Sequence, residues 1–454
     1  MPILMPSRRR LMHMAAAVLA PVAAPGLAGM ARAAVVGRVL AVSDMHSAYD
    51  RTARLLAAFE AETRAHPAPH VIAINGDIFE HGNVASVRSG GVIDWAFLAR
   101  LPRIAPTIVN LGNHDNDLTP DLAQVVARMK GLGLHVVTTI TDTRTGAAYA
   151  DPVVTLPLGA HSLRVVGMAT NAMTTYPKAS RDQLSVPAAA DWARANLADR
   201  LSGADQIIVM SHAGVVADRD ILPLLPDGAL MVGGHDHLLF QHRQGRSAYV
   251  HTGSFTGAYT VAEFGADGVV TAQSRAIGAD APASPDLAAL TAATLADALT
   301  AEERAVLWTG CRALSLGDTG RAVAEGMARA AGADVGFIGH TTLGTGAPAG
   351  PVSRYVFDSI VRFDGKLMVA AVPRARLDQF LARANQDGPI ALADRSGDFL
   401  YASSPRPGAD PVRIVTTDWC ATNQKEYFGA TDLAFETAPD LTVKATAAAA
   451  LAQA

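Results

Sequence analysis

Cysteine is nearly absent from this chain, since only Cys311 and Cys420 occur among its 454 residues. Two thiols are too few for a cysteine-based zinc site or a disulfide scaffold, so any metal must be bound by His, Asp, Glu and Asn side chains. The sequence leaves open whether these two cysteines pair with each other. Charged residues are also scarce, at 18% with a net charge of −4, and no basic tract follows the first ten residues. This composition argues against polymeric nucleic acid as a partner.

The sequence also lacks an apolar run that would serve as a stable membrane anchor. The main candidate, residues 14–30, is interrupted by Pro21 and Pro25, and it is shorter than the roughly 20 residues that cross a bilayer. Three arginines precede it, and an Ala-Arg-Ala sequence that ends at Ala33 follows it. This order is typical of a signal peptide, which we predict for residues 1–33.

The paired arginines of this segment indicate a particular export route. Arg8 and Arg9, preceded by Ser7 and followed by Leu11, resemble a twin-arginine signal. Such a signal implies that the Tat machinery exports the folded protein, and therefore a periplasmic location in a bacterium. A Sec-type signal is the alternative.

The length of the chain exceeds what one hydrophobic core usually needs, and its 50% hydrophobic residues, 39 Gly and 25 Pro indicate folded domains. Short β-branched runs alternate with helical patterns from residue 38 to about residue 263, which indicates an α/β domain over residues 34–276. The predicted strands are Val39–Val42, Val71–Ile74, Thr107–Leu111, Leu163–Val166, Ile207–Met210 and Leu230–Val232, and the predicted helices include Arg51–Thr63 and Pro120–Met129. A linker and helix over residues 277–300 then lead to a second domain over residues 301–454, and an Ala- and Leu-rich helical region spans Leu287–Val306.

Five polar clusters each directly follow one of the predicted strands. They are Asp44-Met45-His46, Gly76-Asp77, Gly112-Asn113-His114-Asp115, Ser211-His212 and Gly234-His235-Asp236-His237. Because the carboxyl ends of strands in an open α/β sheet converge on one crevice, these groups can meet in space. A spacing of two, as in Asp44/His46 and His235/His237, puts both side chains on one side of an extended segment. A single cluster would fit ordinary turn chemistry, but the ordered set of five predicts a metal site.

In this order the five clusters resemble the motifs of the calcineurin-like metallophosphoesterases, D-x-H, G-D, G-N-H-[DE], H and G-H-x-H. The resemblance covers roughly residues 38–275 and implies a layered α/β/β/α domain that holds two divalent metal ions. It implies that Asp44, His46 and His237 hold one ion, that Asn113, His212 and His235 hold the second, and that Asp77 bridges both. Nitrogen and oxygen ligands without thiolate suit Zn, Mn, Fe or Co and do not choose among them.

The resemblance also implies how phosphate esters would be hydrolysed. Two metal ions acidify a bound water to a hydroxide nucleophile and neutralise the phosphoryl oxygens. His114 is the implied general acid for the leaving oxygen, and Asp117 matches the position that orients this histidine in the nucleotidase branch. Asp115 stands where that branch has glutamate. An alternative for Asp117 is that it caps a helix beginning near Pro120.

The second part of the chain resembles the C-terminal, nucleoside-binding domain of the bacterial 5'-nucleotidases, which implies a smaller α+β domain. The blocks that carry this resemblance are Ala333–Ile338, Gly350–Ser353, Val361–Asp364 and Val412–Trp419. Two motifs of the family are altered: N-x-G-G-x-R should follow Ile338, and G-G-D-G-Y should follow Trp419, yet the chain has other residues at both places. The resemblance implies that Trp419 and Phe363 bind the substrate, with Trp419 stacking on a base. A core or inter-domain role is the alternative for Trp419.

The leading hypothesis is a periplasmic phosphohydrolase that acts on nucleoside monophosphates or other small phosphomonoesters. A phosphodiesterase of cyclic nucleotides or other small diesters would use the same metal centre. An enzyme similar to the dimanganese thiosulfohydrolases of sulfur oxidation is a further alternative. A metal-loaded binding protein without turnover belongs to a different class, and the presence of Asp77, Asn113, His114 and His237 argues against it.

Overall fold

The computed structural model describes residues 33–406 and 410–454. The predicted signal peptide therefore lies outside the described residues, apart from Ala33. Residues 34–454 form one compact unit that includes both predicted domains, and the boundary between these domains remains a prediction. None of the helices in the described part of the chain is long and apolar enough to cross a bilayer.

The first part of this unit alternates strands with helices. Its elements are β1 (Val35–Val42), α1 (Thr52–Ala65), β2 (His70–Asn75), α2 (Val84–Ser89), α3 (Val92–Leu98), β3 (Thr107–Asn110), α4 (Leu122–Gly131), β4 (His135–Val137), β5 (Thr141–Asp142), β6 (Val153–Leu158), β7 (His161–Ala169), β8 (Leu184–Ser185), α5 (Ala189–Leu201), β9 (Gln206–His212), α6 (Val215–Ile221), β10 (Leu230–Gly233), β11 (Leu239–Gln244), β12 (Ser247–Thr252), β13 (Ala258–Gly265) and β14 (Val270–Ala276). The six predicted strands are all present, each within three residues of its predicted start and end except β1, which begins four residues earlier.

Two six-stranded sheets form the centre of this part. The first has the order β14-β13-β1-β2-β3-β4, with β1 to β4 parallel and β13 and β14 antiparallel at one edge. The second has the order β11-β12-β10-β9-β7-β6, with four central parallel strands and an antiparallel strand at each edge. The parallel strands of both sheets are the ones whose ends carry the predicted ligands.

Alternate residues of these strands pack into different layers. Along β1, Val39 and Ala41 pack between the two sheets with Ile208 of β9, whereas Leu40 and Val42 pack on the outer face against helices. Strands buried on both faces need apolar residues at every position, which explains the continuous apolar runs in the sequence. The resulting helix/sheet/sheet/helix arrangement confirms the expected α/β/β/α architecture.

The second part contains a smaller five-stranded sheet with the order β19-β16-β20-β18-β21. Its elements are α7 (Pro285–Ala298), α8 (Ala301–Arg304), β15 (Val306–Gly310), α9 (Leu316–Ala331), β16 (Val335–Gly339), β17 (Gly350–Ser353), α10 (Arg354–Ile360), β18 (Lys366–Val372), α11 (Arg374–Ala382), β19 (Leu400–Ala402), β20 (Val412–Thr417), α12 (Asp418–Thr422), α13 (Gln424–Phe428), β21 (Glu436–Thr442) and α14 (Val443–Leu451). The outer face of the second large sheet shares a core with this part, because Val209 and Met231 belong to the same buried cluster as Phe357 and Val361.

The helical region predicted over Leu287–Val306 is wrong in its second half. Helix α7 ends at Ala298, and α8 is a separate short helix that begins after Thr300. Thr300 and Glu303 form a capping box there, which favours a new helix start over continuation of α7. Val306 begins β15 instead of ending a helix.

The two cysteines do not pair in the structure. Cys311 is exposed and Cys420 is buried, and both are free thiols. The question that the sequence left open is therefore answered in favour of unpaired cysteines.

Candidate active site

Five of the predicted metal ligands have an unusual backbone conformation. Asp44, His46, Asp77, His235 and His237 have φ values of 52°, 47°, 55°, 76° and 58°. Residues other than Gly rarely adopt this left-handed conformation, and holding one there costs on the order of 1–3 kcal/mol of folding free energy. Such strain is concentrated at functional sites, so the backbone supports the functional role that the sequence predicts for these loops.

The predicted ligands come together in two adjoining groups. One contains Asp44, His46 and His237, and the other contains Asp77, His212 and His235, with the candidate ligand atoms of each group within 4.8 Å of one another. The Nε2 atoms of His46 and His237 lie 2.9 Å apart. Asp77 contacts both groups, because its Oδ2 lies 3.2 Å from His212 Nε2 and 3.8 Å from His46 Nε2.

Asn113 joins the second group. Its Oδ1 lies 2.9 Å from Nδ1 of His235, and its Nδ2 donates to the carbonyl oxygen of Thr175 at 3.3 Å. The amide oxygen of Asn113 therefore points toward His235, which the family resemblance places at the same metal ion.

Unsatisfied polar atoms in this cluster show that the residues fit metal ions. Oδ2 of Asp44 and Nδ1 of His237 are buried and have no hydrogen-bond partner among the described residues. A buried polar atom without a partner costs about 1–3 kcal/mol. Two such atoms in one cluster of carboxylate and imidazole groups are what a divalent cation would satisfy.

The electrostatics around Asp77 and His212 favour positive charge, whereas burial lowers the pKa of His46 to about 4 and that of His235 to about 3. Burial would raise the pKa of Asp77, but the charges of His212 and His114 hold it well below its usual range. Burial would lower the pKa of His212, but the carboxylates of Asp77 and Asp44 raise it to about 10. A metal ion bound here would supply the cationic charge that these carboxylates require and would compete with protonation of His212.

His114 and Asp117 form the predicted pair. His114 Nδ1 lies 2.8 Å from Asp117 Oδ2, and the His114 backbone N–H donates to Asp77 Oδ1 at 2.7 Å. Burial would lower the pKa of His114, but the carboxylates of Asp77 and Asp117 raise it to about 9. Asp117 does not cap a helix, since Asp121 caps α4. The geometry therefore agrees with an orienting role for Asp117.

Asp115 ties two ligand loops together. Its carboxylate accepts the backbone N–H groups of Gly112 at 2.7 Å, of Ile78 at 2.8 Å and of Asp77 at 3.3 Å. This contact fixes the loop after β2 against the loop after β3, and an aspartate is long enough to make it.

Two charged residues at the centre were not predicted from the sequence as part of the metal site. Glu80 Oε2 lies 3.2 Å from His46 Nδ1 and accepts from Arg362 Nη2 at 2.5 Å. Both side chains are buried, with 7% and 5% of their surfaces exposed. Glu80 follows Asp77 by three residues, but Arg362 comes from the second part of the chain, and only its position beside Phe363 could have drawn attention to it.

One cavity of about 620 Å³ is lined both by the metal cluster and by the second part. Its lining residues include Asp77, Asn113, His114, His235 and His237 together with Arg362, Phe363, Trp419 and Tyr427. Trp419 is 51% exposed and Phe363 is 48% exposed. These large aromatic side chains therefore present their surface to the cavity, and the core role considered for Trp419 does not apply.

The segment that replaces the N-x-G-G-x-R motif has a structural contact with the metal cluster. His340 Nε2 lies 2.7 Å from the carbonyl oxygen of Asp236, and the His340 ring stacks on Phe399 with centroids 4.0 Å apart. Asp236 lies between the two ligands His235 and His237, so His340 supports the loop that carries them.

Comparison with known proteins defines the class of the chain. Residues 37–239 match the family model described as calcineurin-like phosphoesterase, and this stretch includes all five ligand clusters. Residues 37–239 therefore form a calcineurin-like phosphoesterase domain. No curated protein matches the chain.

Solved structures with a similar fold extend over both parts of the chain. A 5'-nucleotidase precursor from Thermus thermophilus is 17% identical, covers 92% of this chain and 96% of its own length, and has a TM-score of 0.61. The sulfate thiohydrolase SoxB of the same organism is 13% identical with coverages of 92% and 94% and a TM-score of 0.61. A 5'-nucleotidase from Candida albicans is 11% identical with coverages of 92% and 98% and a TM-score of 0.60. At these identities the likeness shows the fold alone.

Proposed function

We propose that the chain hydrolyses small phosphomonoesters whose leaving group carries a flat ring, with nucleoside monophosphates as the leading substrates. One observation carries this proposal: a single cavity is lined by the predicted metal ligands, by His114 and by two half-exposed aromatic side chains, Phe363 and Trp419. The ring of a nucleobase can stack on such a surface, at about 1–3 kcal/mol per base. The names of the similar 5'-nucleotidase structures are consistent with this substrate class.

The residues divide the work of hydrolysis between them. Asp44, His46, Asp77, Asn113, His212, His235 and His237 would hold two divalent ions. Such ions polarise the phosphoryl oxygens and lower the pKa of water. Water attacks phosphorus, the bond from phosphorus to the leaving oxygen breaks, and His114 donates a proton to that oxygen. Asp117 holds the His114 ring through Nδ1, so that Nε2 is left for this transfer.

A substrate panel tests the proposal. Phosphate release from AMP, glycerol phosphate and para-nitrophenyl phosphate is measured with added Mn²⁺, beside product formation from bis-para-nitrophenyl phosphate and cyclic AMP. We expect turnover of the monoesters, and Asp77→Asn serves as the control for metal-dependent activity. Faster turnover of the diesters would establish the phosphodiesterase alternative. Absence of turnover on all five, with metal bound, would leave the thiosulfohydrolase-like enzyme and the binding protein as the alternatives.

We also propose that residues 1–33 direct export to the periplasm by the Tat route. The order of Arg8, Arg9, an uncharged segment and Ala33 supports this. Replacement of Arg8 and Arg9 by Lys should retain the protein in the cytoplasm, because the pathway recognises the paired guanidinium groups. Normal periplasmic accumulation of this double variant would place the chain on the Sec route.

A further inference from the structure

A buried ion pair, formed by Glu80 and Arg362, lies beside Nδ1 of the predicted metal ligand His46. Nδ1 of His46 is 3.2 Å from Oε2 of Glu80 and 3.4 Å from Nη2 of Arg362. The same Glu80 oxygen accepts from Arg362 Nη2. These three groups form a closed triangle on the side of the imidazole ring opposite Nε2.

Glu80 and Arg362 favour opposite tautomers of His46. A ligating histidine is neutral, so one ring nitrogen carries a proton and the other has the free lone pair that binds metal. A carboxylate can only accept, so a bond to Glu80 places the proton on Nδ1 and leaves Nε2 free. A guanidinium can only donate, so a bond from Arg362 would place the proton on Nε2 and block it. The choice between these partners therefore decides whether Nε2 of His46 can bind an ion.

The surrounding contacts hold Glu80 where its carboxylate can accept a hydrogen bond from Nδ1 of His46. Its other oxygen, Oε1, accepts the Gly82 backbone N–H at 2.8 Å. Arg362 is held in turn, because its Nη1 donates to the carbonyl oxygen of Thr341 at 3.2 Å and its guanidinium lies 5.1 Å above the Phe255 ring. The His46 ring stacks on the same Phe255, with centroids 5.1 Å apart and planes 23° apart.

We propose that Glu80 is the positioning residue that sets the tautomer of His46 for metal binding, and that Arg362 anchors Glu80 from the second part of the chain. This inference rests on the proposed metal centre. It gives the second part a role in the metal site, although none of its residues is a predicted ligand. Since Arg362 precedes Phe363, one backbone segment supports both the metal ligand and the cavity aromatic.

Calorimetric titration with Mn²⁺ tests the inference. The full-length protein is first freed of metal with a chelator. The wild type should bind two ions. In Glu80→Ala, the affinity for one ion should fall by about 10- to 100-fold, the usual effect of removing a partner that orients a ligand. The affinity for the other ion, at the group of Asn113, His212 and His235, should stay unchanged.

A matched control separates positioning from loss of a buried acid. Glu62 of α1 is likewise buried and is paired with Arg38 and Arg275. Glu62→Ala should lower the melting temperature and leave both metal affinities unchanged. If Glu80→Ala does not fold, Glu80→Gln replaces it, with an expected loss of affinity for one ion that is smaller than that of the alanine variant.

A double variant tests directly whether Glu80 and Arg362 favour opposite tautomers of His46. In Glu80→Ala, Arg362 remains as a donor to Nδ1, so adding Arg362→Met should restore part of the lost affinity. A purely structural role predicts that the double variant binds as weakly as Glu80→Ala or more weakly, and this outcome would overturn the inference. Wild-type affinity for both ions in Glu80→Ala would also overturn it. If the wild type itself binds no divalent ion, the proposed function fails, and the inference fails with it.

Discussion

Asp77 lies between the two groups of metal ligands and contacts both through one carboxylate oxygen. Two cations held close together repel each other and need shared negative charge between them. Asp77→Asn keeps the size of the side chain but removes its charge. We expect this variant to lose occupancy at both metal positions, measured by metal analysis of the purified protein. Loss of one ion with the other at full occupancy would remove Asp77 from the bridging role.

His114 should affect turnover without affecting metal binding. It lies beside the ligands with its Nδ1 bonded to Asp117, and the family resemblance does not make it a ligand. His114→Ala should retain both ions and lower kcat by about 10²- to 10⁴-fold, the usual size of a general-acid contribution. The loss should be smallest for para-nitrophenyl phosphate, whose leaving group needs little protonation. An equal loss for leaving groups of high and low pKa would exclude proton donation.

Asp94 makes stability depend on pH. Its Oδ2 accepts from Tyr49 Oη at 2.7 Å and from Ser47 Oγ at 3.1 Å, in a fully buried setting. Burial raises the pKa of Asp94 from the usual 3.8 to about 7. The folded state therefore binds this proton more tightly than the unfolded state does. The resulting stabilisation is complete below the usual pKa and is lost as pH rises through the folded pKa.

Asp94→Asn tests this dependence, because the amide stays neutral at every pH. Between about pH 4 and pH 7, the melting temperature of the wild type should fall with rising pH relative to that of the variant. The comparison of the two proteins isolates Asp94 from other buried acids such as Asp115, whose pKa burial also raises to about 7. Parallel melting curves across this range would show that Asp94 is ionised in the folded protein.

At the scale of elements, the strand ends explain why the ligand clusters could be predicted. The central strands are buried on both faces, so their apolar runs are visible in the sequence, and each polar cluster follows such a run. The family motifs then supplied the pairing of ligands. Glu80 lies outside these motifs, and the block that contains Arg362 gave it no role at the metal site. Their contact joins residues 282 positions apart and depends on how the second part packs. The break after α7 was missed because Ala and Leu continue across it.

Gly112, in the loop after β3, should be intolerant of a side chain. A Cβ atom there would lie 2.2 Å from Asp77 Oδ1 and 2.8 Å from His212 Nε2. Gly112→Ala should therefore displace both ligands, lower metal occupancy, and destabilise the protein by about 1–3 kcal/mol.

Gly131, at the end of α4, is the matched control, since a Cβ atom there meets nothing within 4 Å. Gly131→Ala should retain metal and raise stability by up to about 1 kcal/mol. Full metal occupancy in Gly112→Ala would mean that the loops after β2 and β3 can shift without loss of the site.

At the scale of the whole molecule, the second part completes a cavity that the first part begins. The two parts share a hydrophobic core, and His340 reaches across to the carbonyl oxygen between His235 and His237. The arginine at the metal end of the cavity, Arg362, is already paired with Glu80. The half-exposed residues Trp419 and Phe363 therefore offer large aromatic surfaces in the cavity to a leaving group.

Substrate preference should accordingly depend on stacking rather than on charged anchors. The chain lacks the arginine of N-x-G-G-x-R and the acid of G-G-D-G-Y, and a charged hydrogen bond of that kind is worth roughly 1.5–3 kcal/mol. Stacking on Trp419 supplies about 1–3 kcal/mol, so the wild type should prefer AMP over glycerol phosphate in kcat/KM by about 5- to 150-fold. Trp419→Ala should lower kcat/KM for AMP toward that for glycerol phosphate, which serves as the internal control because it has no ring to stack. A wild-type preference above about 10³-fold exceeds what stacking supplies. It would mean that polar groups of the cavity recognise the nucleoside, and the preference would then persist in Trp419→Ala.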